Sequence, residues 1–236
     1  MKASALVQSE WRARIVAEYT SAAMTQHLGL WLIQAGAPPD LIDASLVIVN
    51  DELIHSRRSH EVYVAAGGVA LPALDRASLS LDRREARLEL DILHVAVRVF
   101  CLGETVAVPL FQHLRARATV DVARAALDRI LRDEVRHRDF GWDLLDFLTL
   151  SPIGAEVPAR VEAALPAMFV ELDASYGAGS DVVATDRGVI SDDDRGWGLA
   201  PPREYAAILA RTFEREYAPR FEARGIVARP VAAWIA

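Results

Sequence analysis

Two segments of the sequence carry the same short pattern of acidic residues and histidine, Asp-Glu-x-x-His. The first covers residues 51–55 and the second covers residues 133–137. Residues three apart on an α-helix lie on one face about one turn apart, so the glutamate and the histidine of each segment can bind the same metal ion. The two predicted carboxylate–imidazole pairs are Glu52 with His55 and Glu134 with His137.

Two isolated glutamates, Glu18 and Glu104, extend this pattern. Each lies among apolar and small residues, where an unpaired charge would cost on the order of several kcal/mol. A cation is an obvious partner, although an ion pair with a nearby arginine remains an alternative for both. The first precedes Glu52 by 34 residues and the second precedes Glu134 by 30, about the length of a helical hairpin. Four helices would then present Glu, Glu-x-x-His, Glu and Glu-x-x-His to a common interior, which is the ligand set of di-iron and di-manganese carboxylate bundles.

The same residues also have plainer interpretations. The two Asp-Glu-x-x-His segments could lie on exposed helix surfaces. Their opening aspartates, Asp51 and Asp133, could be solvated partners of nearby arginines. The candidate arginines are Arg57, Arg58 and Arg132.

Most of the six histidines are predicted to lie outside this site. Asp91 and His94 repeat the spacing but precede Glu104 by ten residues or more, roughly 15 Å along a helix, and we interpret them as structural. His27 and His113 each follow an isolated glutamate by nine residues, which places them on the opposite side of their helices. Neither should reach a metal bound by the pattern.

The helix that carries Glu104 is predicted to be distorted. Pro109 lacks the amide that would bond the carbonyl of Thr105, so the turn near Glu104 should kink or bulge. Such a distortion could open a space for substrate, or it could only bend the helix around its neighbours. Cys101 shares a face with Glu104 and is expected to be a small buried hydrophobe, with a cavity-lining role as the alternative.

The elements that position these residues are all predicted to be helices, because apolar residues recur every three or four positions and no segment pairs as a hairpin of strands. Asp82, with Glu85 three residues later, predicts a capping box for the third helix, and Thr119 predicts the cap of the fourth. Four helices are expected at about 4–35, 39–66, 82–117 and 119–150. Two more are expected at 157–176 and 203–224, separated by a Gly-, Asp- and Ser-rich loop at 177–202. The predicted fold class is therefore all-α, a four-helix bundle over 1–150 with a C-terminal helical extension over 151–236.

Composition limits the function classes. The 236 residues can bury a sizeable core, and 52% hydrophobic with 25% charged residues is typical of a soluble globular protein. The 33 acidic against 26 basic side chains give a net charge of -7, so a nucleic-acid partner is not expected. A single cysteine excludes an intramolecular disulfide, a CxxC redox pair and a four-cysteine metal site.

No targeting or membrane segment is predicted. Charge returns at Glu10 and Arg12 before a signal sequence could form. The longest uncharged run, 19–39, contains glutamine and histidine and predicts a buried helix better than a membrane span. A cytoplasmic protein without membrane contact is expected.

The sequence resembles the ferritin-like superfamily of di-iron carboxylate proteins over about residues 10–150. Residues 17–21, 36–41 and 51–55 look like a group of bacterial ferritin-like domain proteins. The resemblance implies a metal-binding role for each residue of the pattern. Those roles are bridging carboxylates for Glu52 and Glu134, terminal carboxylates for Glu18 and Glu104, and one imidazole per metal ion for His55 and His137.

The resemblance also implies partners for the histidines. Asp51 and Asp133 match aspartates that hydrogen-bond a ligand histidine and fix its tautomer in oxygen-activating members. Arg136 completes the form Asp-Glu-x-Arg-His on the fourth helix. Ile54 replaces that arginine on the second helix, which leaves the symmetry of this outer layer open.

Mixed nitrogen and oxygen ligands with open positions suit iron or manganese, and a pair of iron ions can bind and reduce dioxygen. We therefore expect an enzyme, a non-haem di-iron oxidase or monooxygenase that uses dioxygen on a small organic substrate. No catalytic residue is expected beyond the metal site, and an electron donor is expected as a partner. Manganese, a mixed iron–manganese pair and a homodimer remain open.

Other activities of the same fold remain alternatives. Ferroxidase or iron storage fits the ligand set, although about 85 residues after residue 150 exceed the shorter bundles that form cages. A tRNA-modifying hydroxylase is weakened by the acidic balance, and an aldehyde-deformylating oxygenase has a similar length. A rubrerythrin-like protein with a rubredoxin centre is excluded by the single cysteine. A scaffold with a structural metal is the remaining possibility.

Overall fold

The computed structural model describes residues 3–175 and 190–230. Within these ranges the chain is all-α and contains no strand, so the predicted fold class is confirmed. The bundle helices are α1 (Ala5–Gln34), α2 (Pro39–Ala65), α3 (Leu88–Val95), α4 (Thr105–Arg117) and α5 (Asp121–Thr149). The later helices are α6 (Val157–Ser175), α7 (Asp192–Gly196), α8 (Pro202–Thr212) and α9 (Ala218–Glu222).

Two π-helical segments interrupt these helices. Ala96–Glu104 joins α3 to α4 in one continuous helix, and Phe213–Tyr217 joins α8 to α9. Two short 3-10 turns, Arg76–Leu79 and Gly154–Glu156, lie in the connections. A distortion is therefore present near Glu104, but as a π-helical stretch that ends on this residue, whereas the turn from Thr105 to Pro109, where the sequence predicts it, is α-helical.

The first hairpin begins and turns where the sequence predicts. Ser4 precedes α1, and its side chain accepts a hydrogen bond from the amide of Val7 at 3.2 Å. Gly36 follows the end of α1 with a φ of 69°, a conformation that glycine adopts without a steric penalty. Pro39 is the first residue of α2, where its missing amide leaves no bond unmade.

The predicted capping box at Asp82 is wrong, because α3 begins only at Leu88. The buried carboxylate of Asp91 accepts hydrogen bonds from the backbone amides of Arg84 at 2.9 Å and Glu85 at 3.2 Å. These bonds hold the chain before α3 in a bent, non-helical conformation. The structural role predicted for Asp91 is thereby explained.

The predicted Thr119 cap is also wrong, since Val120 precedes α5 without a side-chain hydrogen bond. The amides of Thr119 and Val120 instead donate to the carbonyl of Gly196 at 3.0 Å. Gly196 ends α7, a short helix inside the segment predicted as a loop, and Ser191 starts α7 with a capping box. The loop prediction is therefore wrong at 192–196, whereas residues 176–189 lie outside the described residues.

The four helices of the bundle surround one interior. α1 lies along α2, α5 packs against α2, and the continuous helix from Leu88 to Arg117 packs against α5. The core continues into the later helices, because the buried ring of Trp142 on α5 contacts Phe221 of α9 with centroids 5.0 Å apart. The division into two domains at residue 150 remains a prediction.

One helix of the described ranges, Leu88–Arg117, is long and apolar enough to cross a membrane by length and composition. Its most apolar window is 61% buried inside the protein. A core helix of a soluble protein has the same properties, and burial of this kind is consistent with a soluble protein.

Candidate metal centre

The fold brings all six predicted ligand residues to one place inside the bundle. Each of its four helices contributes, and the π-helical segment supplies the residue before α4. Five of the six residues are buried and the sixth, Glu104, is partly buried. The interpretation of these residues as exposed surface groups is therefore wrong. The six are Glu18, Glu52, His55, Glu104, Glu134 and His137.

The Nδ1 atom of His55 faces three carboxylates. It lies 3.7 Å from Oε2 of Glu18 and 3.6 Å from Oε2 of Glu52. The third carboxylate, Glu134, has its Oε1 at 3.8 Å. These separations are longer than hydrogen bonds, and they leave a space that one cation could occupy. Ligand atoms of Glu18, Glu52 and His55 all lie within 4.8 Å of one another.

The Nδ1 atom of His137 faces a matching set. Oε1 of Glu52 lies at 3.3 Å, Oε2 of Glu134 at 3.6 Å and Oε2 of Glu104 at 3.9 Å. Glu52 and Glu134 therefore face both imidazoles, whereas Glu18 and Glu104 face one each. The arrangement is compatible with two shared and two unshared carboxylates around two metal ions. Arginine partners for Glu18 and Glu104 are absent from the ion pairs of the described residues.

Unsatisfied polar atoms concentrate in this cluster. Seven buried side-chain nitrogen or oxygen atoms of the described residues have no hydrogen-bond partner, and four of them belong to Glu52, His55, Glu134 and His137. Each such atom costs about 1–3 kcal/mol if it stays unpaired. Their donor set of imidazole nitrogen and carboxylate oxygen suits a divalent iron or manganese ion. The residues present thus fit two metal ions.

The other nitrogen of each histidine is held by an aspartate from the opposite hairpin. Nε2 of His55 donates to Oδ2 of Asp133 at 3.1 Å, and Nε2 of His137 donates to Oδ2 of Asp51 at 3.4 Å. Both aspartates are almost fully buried. Burial opposes ionisation of Asp51, but its hydrogen bonds with His137 and Arg136 outweigh that effect and lower its pKa to about 2. Because an ionised carboxylate only accepts, the proton sits on Nε2, and Nδ1 is left to bind a cation.

Two arginines of α5 hold both aspartates. Arg136 donates to Asp51 at 2.7 Å and to Asp133 at 3.0 Å. Arg129 donates to Asp51 at 3.0 Å and also pairs with Asp133. α2 has Ile54 where an arginine was expected by symmetry. Because α5 supplies both guanidinium groups, each aspartate is nevertheless paired with arginine.

Arg129 was not among the arginines predicted to pair with these aspartates. The missed signal is its position four residues before Asp133, a spacing at which side chains meet on a helix. Arg132, one of the three alternatives, lies 3.6 Å from Asp133 but is mostly exposed. Ser21 was also missed, although it lies one turn after Glu18, and its hydroxyl donates to Oε1 of Glu52 at 3.0 Å.

Without a metal ion, the pKa values of several cluster residues are shifted towards the protonated form. Burial, together with the negative charge of Glu52, raises the pKa of Glu18 to about 8. Burial and the charge of Glu134 raise the pKa of Glu104 well above its ordinary value. Burial disfavours the charged form of His55, but the neighbouring carboxylates of Glu18, Glu52 and Glu134 outweigh that effect and raise its pKa to about 11.

Two more groups titrate in the directions that favour an ion pair. Burial opposes the charged form of His137, yet its contact with Asp51 and the nearby carboxylates of Glu134 and Glu52 raise its pKa well above its ordinary value. Burial likewise opposes ionisation of Glu52, but both histidines together lower its pKa well below its ordinary value. Without metal, protons bound by the cluster residues offset the negative charge of the four carboxylates.

The π-helical segment is held against α5 by a close backbone approach. A Cβ added to Gly141 would lie 2.6 Å from Cβ of Phe100 and 2.9 Å from the amide nitrogen of Cys101. The Cys101 thiol is fully buried and donates to the carbonyl of Gly141 at 3.3 Å, as expected for a small buried hydrophobe. On its other side, Tyr217 donates its hydroxyl to the carbonyl of Leu102 at 2.6 Å.

Three further histidines, His27, His94 and His113, lie away from the cluster, as predicted. Nδ1 of His27 accepts a hydrogen bond from the amide of Leu81 at 3.0 Å. His113 lies 2.6 Å from Glu204 of α8, and His94 lies on the exposed side of α3. None of the three contacts the cluster.

A cavity of about 450 Å³ reaches the cluster from one side. All four cluster glutamates line it, and apolar side chains form most of the remaining wall. The bundle supplies residues such as Ala17, Val99 and Phe111, whereas α6 supplies Met168 and Leu172. The C-terminal extension therefore completes the wall of the cavity that opens on the cluster.

Comparison with known proteins gives no assignment. No model of a protein family matches the chain, and no curated protein or solved structure is significantly similar to it.

Proposed function

We propose that this protein is a ferritin-like, non-haem di-iron oxidoreductase that uses dioxygen to oxidise or oxygenate a small organic molecule. The observation that carries the proposal is the largely apolar cavity whose wall includes all four glutamates of the cluster. A volume of about 450 Å³ is in the range of cavities that enclose small molecules.

Six residues would hold the two metal ions. One ion would lie beside Nδ1 of His55 and the carboxylate of Glu18, and the other beside Nδ1 of His137 and the carboxylate of Glu104. Glu52 and Glu134 face both positions. When bound, two ferrous ions supply the electrons for one-electron and dioxygen chemistry that protein side chains cannot perform.

The surrounding residues would prepare the site for that chemistry. Asp51 and Asp133 keep the proton of each imidazole on Nε2, so that Nδ1 stays directed at the cluster. Arg129 and Arg136 balance the charge of these two aspartates. The apolar part of the cavity wall would limit the water that reaches the cluster and would leave space for an organic substrate.

The contribution of the C-terminal extension favours an oxygenase over iron storage. An iron store needs a hydrated path for ions, whereas Met168 and Leu172 of α6 give the cavity an apolar wall. Such a wall suits an organic molecule with little charge along its length.

Metal analysis tests the first half of the proposal. Full-length protein produced with iron should contain close to two metal ions per chain, and His137→Ala should contain one or none. His94→Ala is the matched control, because that histidine is exposed and outside the cluster. Fewer than one tightly bound ion in the wild type, unchanged in His137→Ala, would exclude the metal site.

Rapid mixing of the reduced protein with dioxygen tests the second half. An oxygenase should form a transient visible absorption that decays faster in the presence of one member of a panel of small organic acids, alcohols and aldehydes. Iron oxidation without any such acceleration, together with a cage-sized particle on a sizing column, would instead assign a ferroxidase.

A further inference from the structure

The cavity that reaches the cluster also contains an arginine that forms no ion pair with any other described residue. Arg14 lies four residues before Glu18, about 6 Å along α1, and both residues line the cavity. Side chains of a helix point towards its N-terminus. The guanidinium therefore lies further from the cluster than its backbone does, towards the other end of the cavity.

The contacts of Arg14 fix its position but do not neutralise it. Nη2 donates to the carbonyl of Gly198 at 3.0 Å. The guanidinium stacks over the ring of Trp11, 4.4 Å from its centroid, with the ring of Phe111 at 5.8 Å. Nη1 is buried without a hydrogen-bond partner, and no carboxylate among residues 3–175 and 190–230 forms an ion pair with Arg14.

The second arginine of the cavity differs in this respect. Arg98 lies 3.7 Å from the carboxylate of Glu171, and both side chains are substantially exposed. Its charge is already balanced by a carboxylate of the cavity wall. Arg14 is thus the arginine of this cavity that is held in place by carbonyl and ring contacts while its charge stays available to a ligand.

We infer that Arg14 binds the carboxylate of an organic acid whose apolar body fills the cavity and whose other end lies at the metal cluster. A guanidinium offers paired N–H donors that match a carboxylate, and such charge-assisted bonds are stronger than neutral ones. The apolar part of the cavity wall, which includes Ala17, Leu110 and Leu172, suits an aliphatic or aromatic body. This inference rests on the proposed function, since it names the substrate class of the same cavity.

Calorimetric titration of the full-length protein with octanoate and with octanamide tests the inference. The two probes have the same apolar chain and differ in charge. Wild-type protein should bind octanoate about tenfold more tightly than octanamide. Arg14→Gln should bind both probes equally, because glutamine is polar but carries no charge.

Two further variants serve as controls. Arg12→Gln removes a charge from the exposed side of the same helix and should preserve the tenfold preference. Arg14→Lys keeps the charge without the paired donors and should show a reduced preference. If Arg14→Gln does not fold, judged by its melting temperature, the comparison of Arg14→Lys with the wild type still decides the question.

Several outcomes would overturn the inference. Equal affinity of the wild type for the two probes would do so, as would a preference that persists in Arg14→Gln or is undiminished in Arg14→Lys. A preference that disappears when the metals are removed by a chelator would place the carboxylate on the metals instead of on Arg14. Metal content measured on the same samples separates the two proposals. An Arg14-dependent preference in protein that binds no metal would support the anion site and exclude the proposed function.

Discussion

Nε2 of His55 lies 3.1 Å from Oδ2 of Asp133, although the two residues belong to different hairpins of the bundle. His137 and Asp51 form the same contact in the reverse direction at 3.4 Å. Each hairpin therefore orients the histidine of the other. The geometry of the cluster consequently depends on how α2 and α5 pack together, and a change in either aspartate should affect the metal on the opposite hairpin.

Asp133→Asn tests this cross-hairpin relationship. An amide in this place carries no charge and presents an NH2 group as readily as an oxygen, so it no longer fixes the Nε2 proton of His55. Loss of such a partner typically lowers metal affinity about 10–100-fold. Competition with a chelator of known affinity should show this loss for the metal on the His55 side.

Asp128→Asn is the control for this substitution. Asp128 lies on the same helix and pairs with Arg115 at the surface, so its replacement should leave metal affinity unchanged. Equal affinities of Asp133→Asn and Asp128→Asn would show that Asp133 does not position the histidine.

Much of this site could be predicted because its signal is local. Glu52 with His55 and Glu134 with His137 lie three residues apart on regular helices, so helix geometry alone places each pair on one face. The contacts between the two hairpins were harder to predict from the sequence. Asp133 was expected to contact a histidine, but the sequence does not state from which helix, because that depends on tertiary packing.

The errors of prediction have a common physical cause. Asp82 and Thr119 have side chains that commonly cap helices, yet distant groups satisfy the chain at both places. Asp91 accepts the amides before α3, and the carbonyl of Gly196 accepts the amides before α5. Local capping propensity is worth about 1 kcal/mol, and a buried tertiary contact readily exceeds it. Arg14 was missed for a different reason, since its lack of a partner is visible only in the folded chain.

Metal loading should release protons. In the metal-free cluster the pKa of Glu18 is about 8 and that of His55 is about 11, so both groups hold a proton at pH 7. The pKa values of Glu104 and His137 are raised as well. A metal pair must displace these protons, so affinity should rise with pH between 6 and 8, by up to about tenfold per unit for each proton released.

Titration calorimetry at pH 7 in two buffers of different ionisation enthalpy measures the number of protons. We expect about two to three per metal pair from the two histidines and Glu18, and a further contribution from Glu104, whose pKa is raised. Release of fewer than one proton would contradict the protonation state described for the metal-free cluster.

Two glycines near the cluster should respond oppositely to alanine. A Cβ at Gly141 would overlap Phe100 of the π-helical segment, and overpacking of this kind lowers the free energy of unfolding by about 1–3 kcal/mol. At Gly103 the nearest atom to an added Cβ is the carbonyl oxygen of Arg98 at 3.8 Å, an ordinary contact. Gly103→Ala should therefore be neutral or stabilise by up to about 1 kcal/mol.

Urea denaturation of the two variants measures the difference. Gly141→Ala should also weaken metal binding, because Gly141 lies one turn after His137 and contacts the segment that ends on Glu104. A stable Gly141→Ala with full metal content would mean that the helices do not need this close approach.

Glu104→Gln should separate folding from metal binding. The pKa of Glu104 is raised well above its ordinary value by burial and by Glu134. A carboxylate whose pKa is raised on folding contributes stability at pH values below its unfolded pKa, and this contribution is lost as pH rises through the folded pKa. Metal-free wild type should therefore lose stability towards alkaline pH, whereas glutamine imitates the protonated form at every pH. We expect metal-free Glu104→Gln to melt a few degrees above metal-free wild type at pH 8, since ~1 kcal/mol corresponds to about 2–4 °C in a chain of this size.

The metal-loaded proteins should show the reverse order. Metal binding stabilises only the protein that binds it, and Glu104→Gln lacks a charged ligand for the ion beside His137. Iron or manganese should therefore raise the melting temperature of the wild type more than that of the variant. Glu162→Gln, a change on α6 at an exposed contact with the amide of Val227, should leave the metal-dependent increase intact. If Glu104→Gln were destabilised without metal and equally stabilised by it, Glu104 would be a structural residue and the ion beside His137 would have no terminal carboxylate.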